Sequence, residues 1–319
     1  MTLRRRHGYE PGVAARLSLG SQRLVIVTGK GGVGKTTVAA ALARAASAAG
    51  RRTLAVEVGN GRLAPLLGAD TLASEPVRIA PTLSAARIEP EDALADFVDG
   101  VLRFRLLSRR LLGSTSFQIL AAAAPGLTEL LVLNKVHAWL EARRLRRPLY
   151  DLIVLDAPAS GHSLPLLSAP RTLGAFARLG PIAELLRTLG GMLADRSTTL
   201  VLLVTTPEEL AVRETIELHA ELAGRERLPL GPPIVNAMPE RRFSPRDVEL
   251  FDGPGDHPWL IAARFLVERR REAESQLGAL RRELGSAVVR LPFLWTPPDD
   301  PASLEPLAEG LATAAGLAA

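Results

Sequence analysis

The chain has 319 residues and no cysteine. Disulfides are excluded, and so is any metal or metalloid site built from thiolates. No stretch approaches the roughly 18 to 20 consecutive apolar residues that span a bilayer as a helix. The first residues are basic, but no apolar run follows them, so no secretory signal is expected. Lysine is scarce: of 39 basic residues only Lys30, Lys35 and Lys135 are lysine, and the rest are arginine. Two of those three lie in one short loop. A chain that writes its positive charge as arginine but keeps lysine there needs a compact ammonium rather than a planar fork.

That loop reads Gly29-Lys30-Gly31-Gly32-Val33-Gly34-Lys35-Thr36-Thr37. Residues Gly29 to Thr36 fit the phosphate-loop pattern G-x-x-x-x-G-K-[ST]. Such a loop needs a strand before it and a helix after it. The run from Arg23 to Thr28 is apolar and β-branched, suited to a buried parallel strand. From Thr36 to Ala49 the chain is alanine-rich and stops at Gly50, as a helix would. Glycines at 29, 31, 32 and 34 let backbone N–H groups turn toward phosphate oxygens, above a helix N-terminus of favourable sign. Lys35 is expected to reach the β- and γ-phosphates of ATP, and the Thr36 hydroxyl to ligate Mg²⁺. The competing reading is a glycine-rich turn that binds nothing.

The hydrophobic content of 47% suffices for one large core. Short apolar stretches at 23–28, 53–58, 84–88, 151–156, 199–205, 232–236 and 287–291 alternate with helical sequence. This predicts an α/β fold, a doubly wound and mostly parallel sheet with its ligand edge at the strand C-termini. Residues 1–22 read as an irregular lead-in, and 23–319 as a single domain. Two helical blocks, about 92–146 and 164–193, interrupt the alternation and predict an inserted helical subdomain. The first carries Leu102, Leu106, Leu107, Leu111 and Leu112, and the second Leu166, Leu167, Leu179, Leu185, Leu186 and Leu189. Their stripes are either helix packing or an exposed groove for a client. Leu266, Ala273, Leu277, Leu280 and Leu284 mark an amphipathic surface helix.

The formal charge is +5 and the pI is about 10.3. Arginine in place of lysine raises the pI by itself. The arginine clusters at 4–6, 143–147 and 269–271 suit solvated helix faces and termini, and nucleic acid is not the expected partner.

A second motif begins where Leu152-Ile153-Val154-Leu155 ends in Asp156, the placement of an acid that holds Mg²⁺. It continues Ala157-Pro158-Ala159-Ser160-Gly161-His162-Ser163-Leu164. With Lys30 after the first loop glycine, this resembles the ArsA-type family of arsenite-pump and tail-anchored-protein-targeting ATPases. That family has a deviant phosphate loop and a D-x-P-[AT]-x-G-H-x-L switch. Ala124 to Glu129 resembles its P-G-x-x-E segment, Ile234-Val235-Asn236 the strand whose Asn reads adenine, and Val289 to Pro292 the loop over the base. The resemblance spans about residues 23–295. It implies a P-loop NTPase fold, ATP hydrolysis with Mg²⁺, and a homodimer in which Lys30 reaches the partner's nucleotide. Asp156 and Thr36 would hold the metal, Gly161 would belong to the switch, and Asn236, Leu291 and Pro292 would face the base. Lys30 as a solvated charge, His162 as a packing residue and Asn236 as a turn former remain alternatives.

The sequence departs from the family after the second strand, where an aspartate orients the attacking water. Here Leu54 to Gly61 has no Asp, and Val58 or Gly59 stands in its place. Glu57 is the nearest carboxylate and either orients water or ends the strand; Asn60 is a polar substitute. The family's metalloid-binding thiolates and zinc-clamping C-x-x-C pair are absent, and three methionines are few for a client groove. The expectation is a cytoplasmic ATP-dependent switch with an unassigned protein client. A weakly hydrolysing scaffold and a partition-type ATPase riding on DNA are the alternatives. The tail from Leu307 to Ala319 lacks Lys and Arg, which argues against a basic membrane anchor there.

Overall fold

The structure, a computed structural model, describes residues 16–17, 19–59, 61–89, 126–158, 160–175, 179, 181–251 and 257–317; for residues 160–163, 181 and 182 it describes the backbone alone. The first strand, β1 (Leu24–Gly29), is buried along its whole length. A strand covered on both faces must be apolar throughout, as Leu-Val-Ile-Val is. The same holds for β2 (Thr53–Val58) with two exceptions, the buried Thr53 and Glu57. After these come β3 (Val77–Ala80), β4 (Leu83–Ile88), a small hairpin of β5 (Arg143–Arg144) and β6 (Arg147–Pro148), then β7 (Leu152–Asp156), β8 (Thr199–Thr205), β9 (Ile234–Met238) and β10 (Val289–Pro292).

The main sheet has eight strands in the order β10-β9-β8-β1-β7-β2-β4-β3. Every pairing is parallel except β3 with β4. The α/β reading holds: this is a doubly wound, mostly parallel sheet. β1 sits at its centre between β7 and β8, so the loop after β1 leaves the sheet at the strand C-terminal edge, where ligands bind in such folds.

Helices cover both faces. On one side lie α1 (Lys35–Ala48), α2 (Leu63–Leu67) and, from the far end of the chain, α9 (Glu305–Ala315). Their buried residues, among them Leu42, Leu63, Leu307 and Leu311, pack with Val25, Val27 and Ile234 of the sheet. On the other side, α3 (Leu127–Glu141), α4 (Ser160–Gly174) and α5 (Pro181–Ala194) share a cluster with Leu24, Ile26, Leu54, Ile153 and Leu155. A third cluster joins α6 (Glu209–Ala220) to α8 (Pro258–Leu284) through Val212, Val235, Leu277 and Leu280. Each fully buried leucine contributes about 2 to 3 kcal/mol relative to exposure. The short α7 (Pro245–Phe251) lies against α8.

Several boundaries differ from the expected ones for identifiable reasons. β9 starts at Ile234 rather than 232, because Pro232 and Pro233 have no N–H for the ladder. In the helical block expected to reach about Arg146, the last helix, expected through Trp139, ends at Glu141 and gives way to the hairpin. Leu145 and Arg146 turn it with φ of 51° and 67°, the left-handed pair that tight hairpins require. β3 is an extra edge strand, half exposed, pairing antiparallel with β4. The second helical block divides into α4 and α5, and most of its leucines are core: Leu166, Leu167, Leu186 and Leu189 are buried while Leu179 is exposed. The leucines expected at 102–112, Asn60, Ala124 and Pro125 lie outside the described residues.

Candidate nucleotide-binding site

The loop between β1 and α1 is held by β8 and by β9. Gly29 runs beside Val204 of β8, its register partner, and a β-carbon at Gly29 would strike the Val204 carbonyl. Gly34 caps α1 in the left-handed region (φ 89°, ψ 30°), with no side chain capping the first helical amides. Below it, Asn236 in the middle of β9 donates from Nδ2 to the Val33 carbonyl at 2.9 Å. A β-carbon at Gly34 would run into that amide. So Asn236, expected at the base, braces the loop through its amide nitrogen. Gly31 and Gly32 are exposed, Val33 is buried, and Thr36 and Thr37 are half-buried.

Lys35 is half-buried, and its Nζ donates to the Lys30 carbonyl at 2.9 Å. Burial pulls its pKa below the ordinary lysine value, and Asp156 opposes that shift. Lys30 forms an ion pair with Glu214 of α6 in the same chain.

Beneath the loop, β7 brings Asp156 opposite Val27 of β1 and opposite Glu57 of β2. Asp156 is buried, and the Thr36 side chain beside it favours its charged form. Burial pushes its pKa up to about 7; Thr36 and Lys35 lower it, and the charge of Glu57 raises it. Glu57 Oε1 accepts the amides of Arg62 at 2.7 Å and Leu63 at 3.2 Å, capping the start of α2. Burial raises its pKa too, against the pull of those amides and of Arg87. Two carboxylate oxygens, Asp156 Oδ1 and Glu57 Oε2, are buried without a hydrogen-bond partner.

Buried orphan oxygens are costly unless something completes them. A hard cation on Asp156 fits the donor set, because Mg²⁺ uses one or two protein oxygens and takes the rest from phosphate and water. Among the described residues no group of three or more His, Asp or Glu side chains could hold a metal by itself, so such an ion would depend on the nucleotide.

The remaining expected residues are dispersed in role. Gly161 and His162 lie in the first turn of α4; the His162 side chain lies outside the description. Leu291, expected at the base, has its side chain fully buried in the core beside α1 and α9. Pro292 is half-buried, and the next amide, of Phe293, is donated to Met238 of the β9 end at 2.9 Å. Glu214 was not legible in the sequence, since no spacing rule links a helix acid to a loop 184 positions away. A cavity of about 400 Å³ between α7 and α8, lined by Phe251, Arg264, Phe265 and Arg271, is separate, and no loop residue lines it.

A central strand, a glycine-braced phosphate loop, an uncapped helix N-terminus and a metal-suited acid on the adjoining strand define a P-loop nucleotide-binding protein of the α/β class. The chain belongs to the anion-transporting, or ArsA-type, ATPase family, whose model matches residues 22–193. It is 33% identical over 248 residues to the ATPase BagA of Mycobacterium tuberculosis, covering 76% of this chain and 72% of that one. With ATPase GET3C of Arabidopsis thaliana the identity is 26% over 333 residues, covering 87% and 79%. An arsenical pump-driving ATPase of Acidiphilium multivorum shares 29% over 219 residues, covering 61% of this chain and 36% of its own length. Among the described residues no helix is long and apolar enough to cross a membrane.

Proposed function

We propose that this chain is a cytoplasmic, Mg²⁺-dependent ATP switch that closes as a homodimer around its nucleotides and passes the nucleotide state to a protein client. The observation that carries the reading is the buried, unpartnered Asp156 Oδ1 under a loop whose Thr36 side chain already favours the charged form of the same carboxylate. ATP would lie on the amides of Gly29 to Thr37, with Lys35 leaving the Lys30 carbonyl for the phosphates. Thr36 and Asp156 would hold Mg²⁺, which neutralises charge developing on the transferred phosphoryl group. Lys30 would meet the partner's phosphates. Asn236 would keep the loop in register, with its remaining amide oxygen and the Leu291-Pro292 backbone toward the base. Gly161, in the first turn of α4, would link the Asp156 strand to the helices on that face. Residues 23–319 would act as one nucleotide domain, with α3 to α5 and the segment before them as the part that answers ATP.

Glu57 is the carboxylate for orienting water, through Oε2, while Oε1 stays on the α2 amides. The absence of Asp at Val58 and Gly59 makes slow turnover the expected regime. Phosphate release tests this: the wild type releases phosphate only with Mg²⁺, whereas Lys35→Ala and Asp156→Asn do not. A wild-type rate equal to that of Lys35→Ala would overturn hydrolysis.

A second reading, a nucleotide-locked scaffold, has one observation in its favour. Glu57 Oε1 is already engaged in capping α2, and a carboxylate so fixed adjusts poorly to a water. Saturable MgATP binding without phosphate release would select it. Nucleic acid has no comparable structural support.

A further inference from the structure

The ion pair between Lys30 and Glu214 has no part in that scheme, and it competes with it. Lys30 follows the first loop glycine, Gly29, and its ammonium is the group assigned to a nucleotide phosphate. Yet here it rests on a carboxylate of its own subunit. We propose that Glu214 is a positioning residue for Lys30: it holds the ammonium on its own subunit's α6 until a triphosphate takes over. The inference rests on the nucleotide reading above and adds a restraint on it.

The geometry arises from the sheet. β8 lies beside β1, and the Gly29–Val204 register puts the end of β8 against the start of the loop. The chain leaves β8 at Thr205 and enters α6 at Glu209. Ala211, Val212, Thr215 and Leu218 point α6 into the protein. That leaves Glu214 at the margin of the buried face, where it meets Lys30. Both side chains keep about a third of their exposure, 33% and 32%. A pair so placed is neither a buried structural bridge nor a fully screened surface contact. It is weak enough to break for a triphosphate, whose several charges outbid one carboxylate. The Nζ of Lys35 bonds the carbonyl of Lys30. That bond is to the Lys30 backbone, whereas Glu214 holds the Lys30 side chain, so the ion pair restrains the first ammonium separately from the second.

The test uses the full chain. Glu214→Gln keeps the shape and removes the charge, Glu214→Asp keeps the charge, and each is also made in a Lys30→Ala background. MgATP affinity is read by calorimetry and the ATP dependence of dimer formation by sedimentation. Glu214→Gln should tighten MgATP binding and lower the ATP needed for dimers by about two- to fivefold, the range of a half-exposed pair. Glu214→Asp should lie close to wild type. In the Lys30→Ala background Glu214→Gln should change nothing. A merely structural Glu214 would shift the melting temperature and affect affinity equally with or without Lys30, and that outcome overturns the assignment. So does a Glu214→Gln affinity equal to wild type while wild type binds MgATP. If wild type binds no MgATP, the nucleotide reading fails first, and this inference with it.

Discussion

Glu57 and Asp156 are register partners at the ends of adjacent parallel strands, β2 and β7, and each has one buried oxygen with no partner. Two buried acids side by side are unfavourable as a pair of anions, and burial raises both pKa values. The fold tolerates this because other groups divide the load: Thr36 and Lys35 serve Asp156, while the Arg62 and Leu63 amides serve Glu57.

The two oxygens of Glu57 make a separable prediction. Glu57→Ala removes the acceptor for two α2 amides and should cost about 1 to 3 kcal/mol in urea unfolding. Glu57→Gln keeps an oxygen for those amides, so its stability should stay close to wild type. If Oε2 orients water, phosphate release by Glu57→Gln should fall by about a hundredfold, in the usual range for a lost general base, with MgATP affinity retained. Unchanged release would remove Glu57 from the chemistry.

Asn236 spans the loop and the sheet. Asn236→Ala leaves the Val33 carbonyl without its amide donor. We expect a stability loss of about 1 kcal/mol and weaker nucleotide binding, read by calorimetry, for ATP and ADP alike, because both use the loop. Gly34→Ala should do more harm: it combines a left-handed backbone with a collision at Asn236. An Asn236→Ala variant that binds both nucleotides as wild type does would contradict the brace.

At the opposite, N-terminal edge of the sheet, Asp151 clamps β2 to β7. Its Oδ2 accepts the Arg52 amide at 3.0 Å and Arg52 Nε at 2.9 Å. That hydrogen-bonded partner holds the Asp151 carboxyl below the usual range. A depressed folded pKa gives stability that is present above the unfolded value of about 3.9 and is lost as pH falls through the folded one. The side chains are 43% and 37% exposed, so solvent screening holds the contribution to about 1 kcal/mol. Asp151→Asn should therefore unfold at lower urea than wild type at pH 7, and the gap should narrow toward pH 3. A gap independent of pH would assign the loss to shape rather than charge.

Much of this was readable from residue order. A fully buried parallel strand must be apolar on both faces, so β1, β2, β7 and β8 stood out, and the phosphate loop needed only its glycines and lysines. Asp156 was legible because an acid ending such a strand has few structural uses. The β3 edge was not, since Val77 to Ala80 is short and half exposed and carries little pattern. The β5–β6 hairpin turns on Leu145 and Arg146, residues that announce no turn. Asn236 was singled out, but its partner, a backbone carbonyl 203 positions away, is set by tertiary packing. Glu214 was invisible for the same reason, as was the α2 cap that occupies half of Glu57.

Calorimetric titration of MgATP into the wild type and into Lys35→Ala tests the central claim most directly. The account predicts saturable binding of one nucleotide per chain, weakened when Mg²⁺ is chelated and lost in Lys35→Ala. Absence of saturable heat with the wild type, or equal binding by the two proteins, would contradict it.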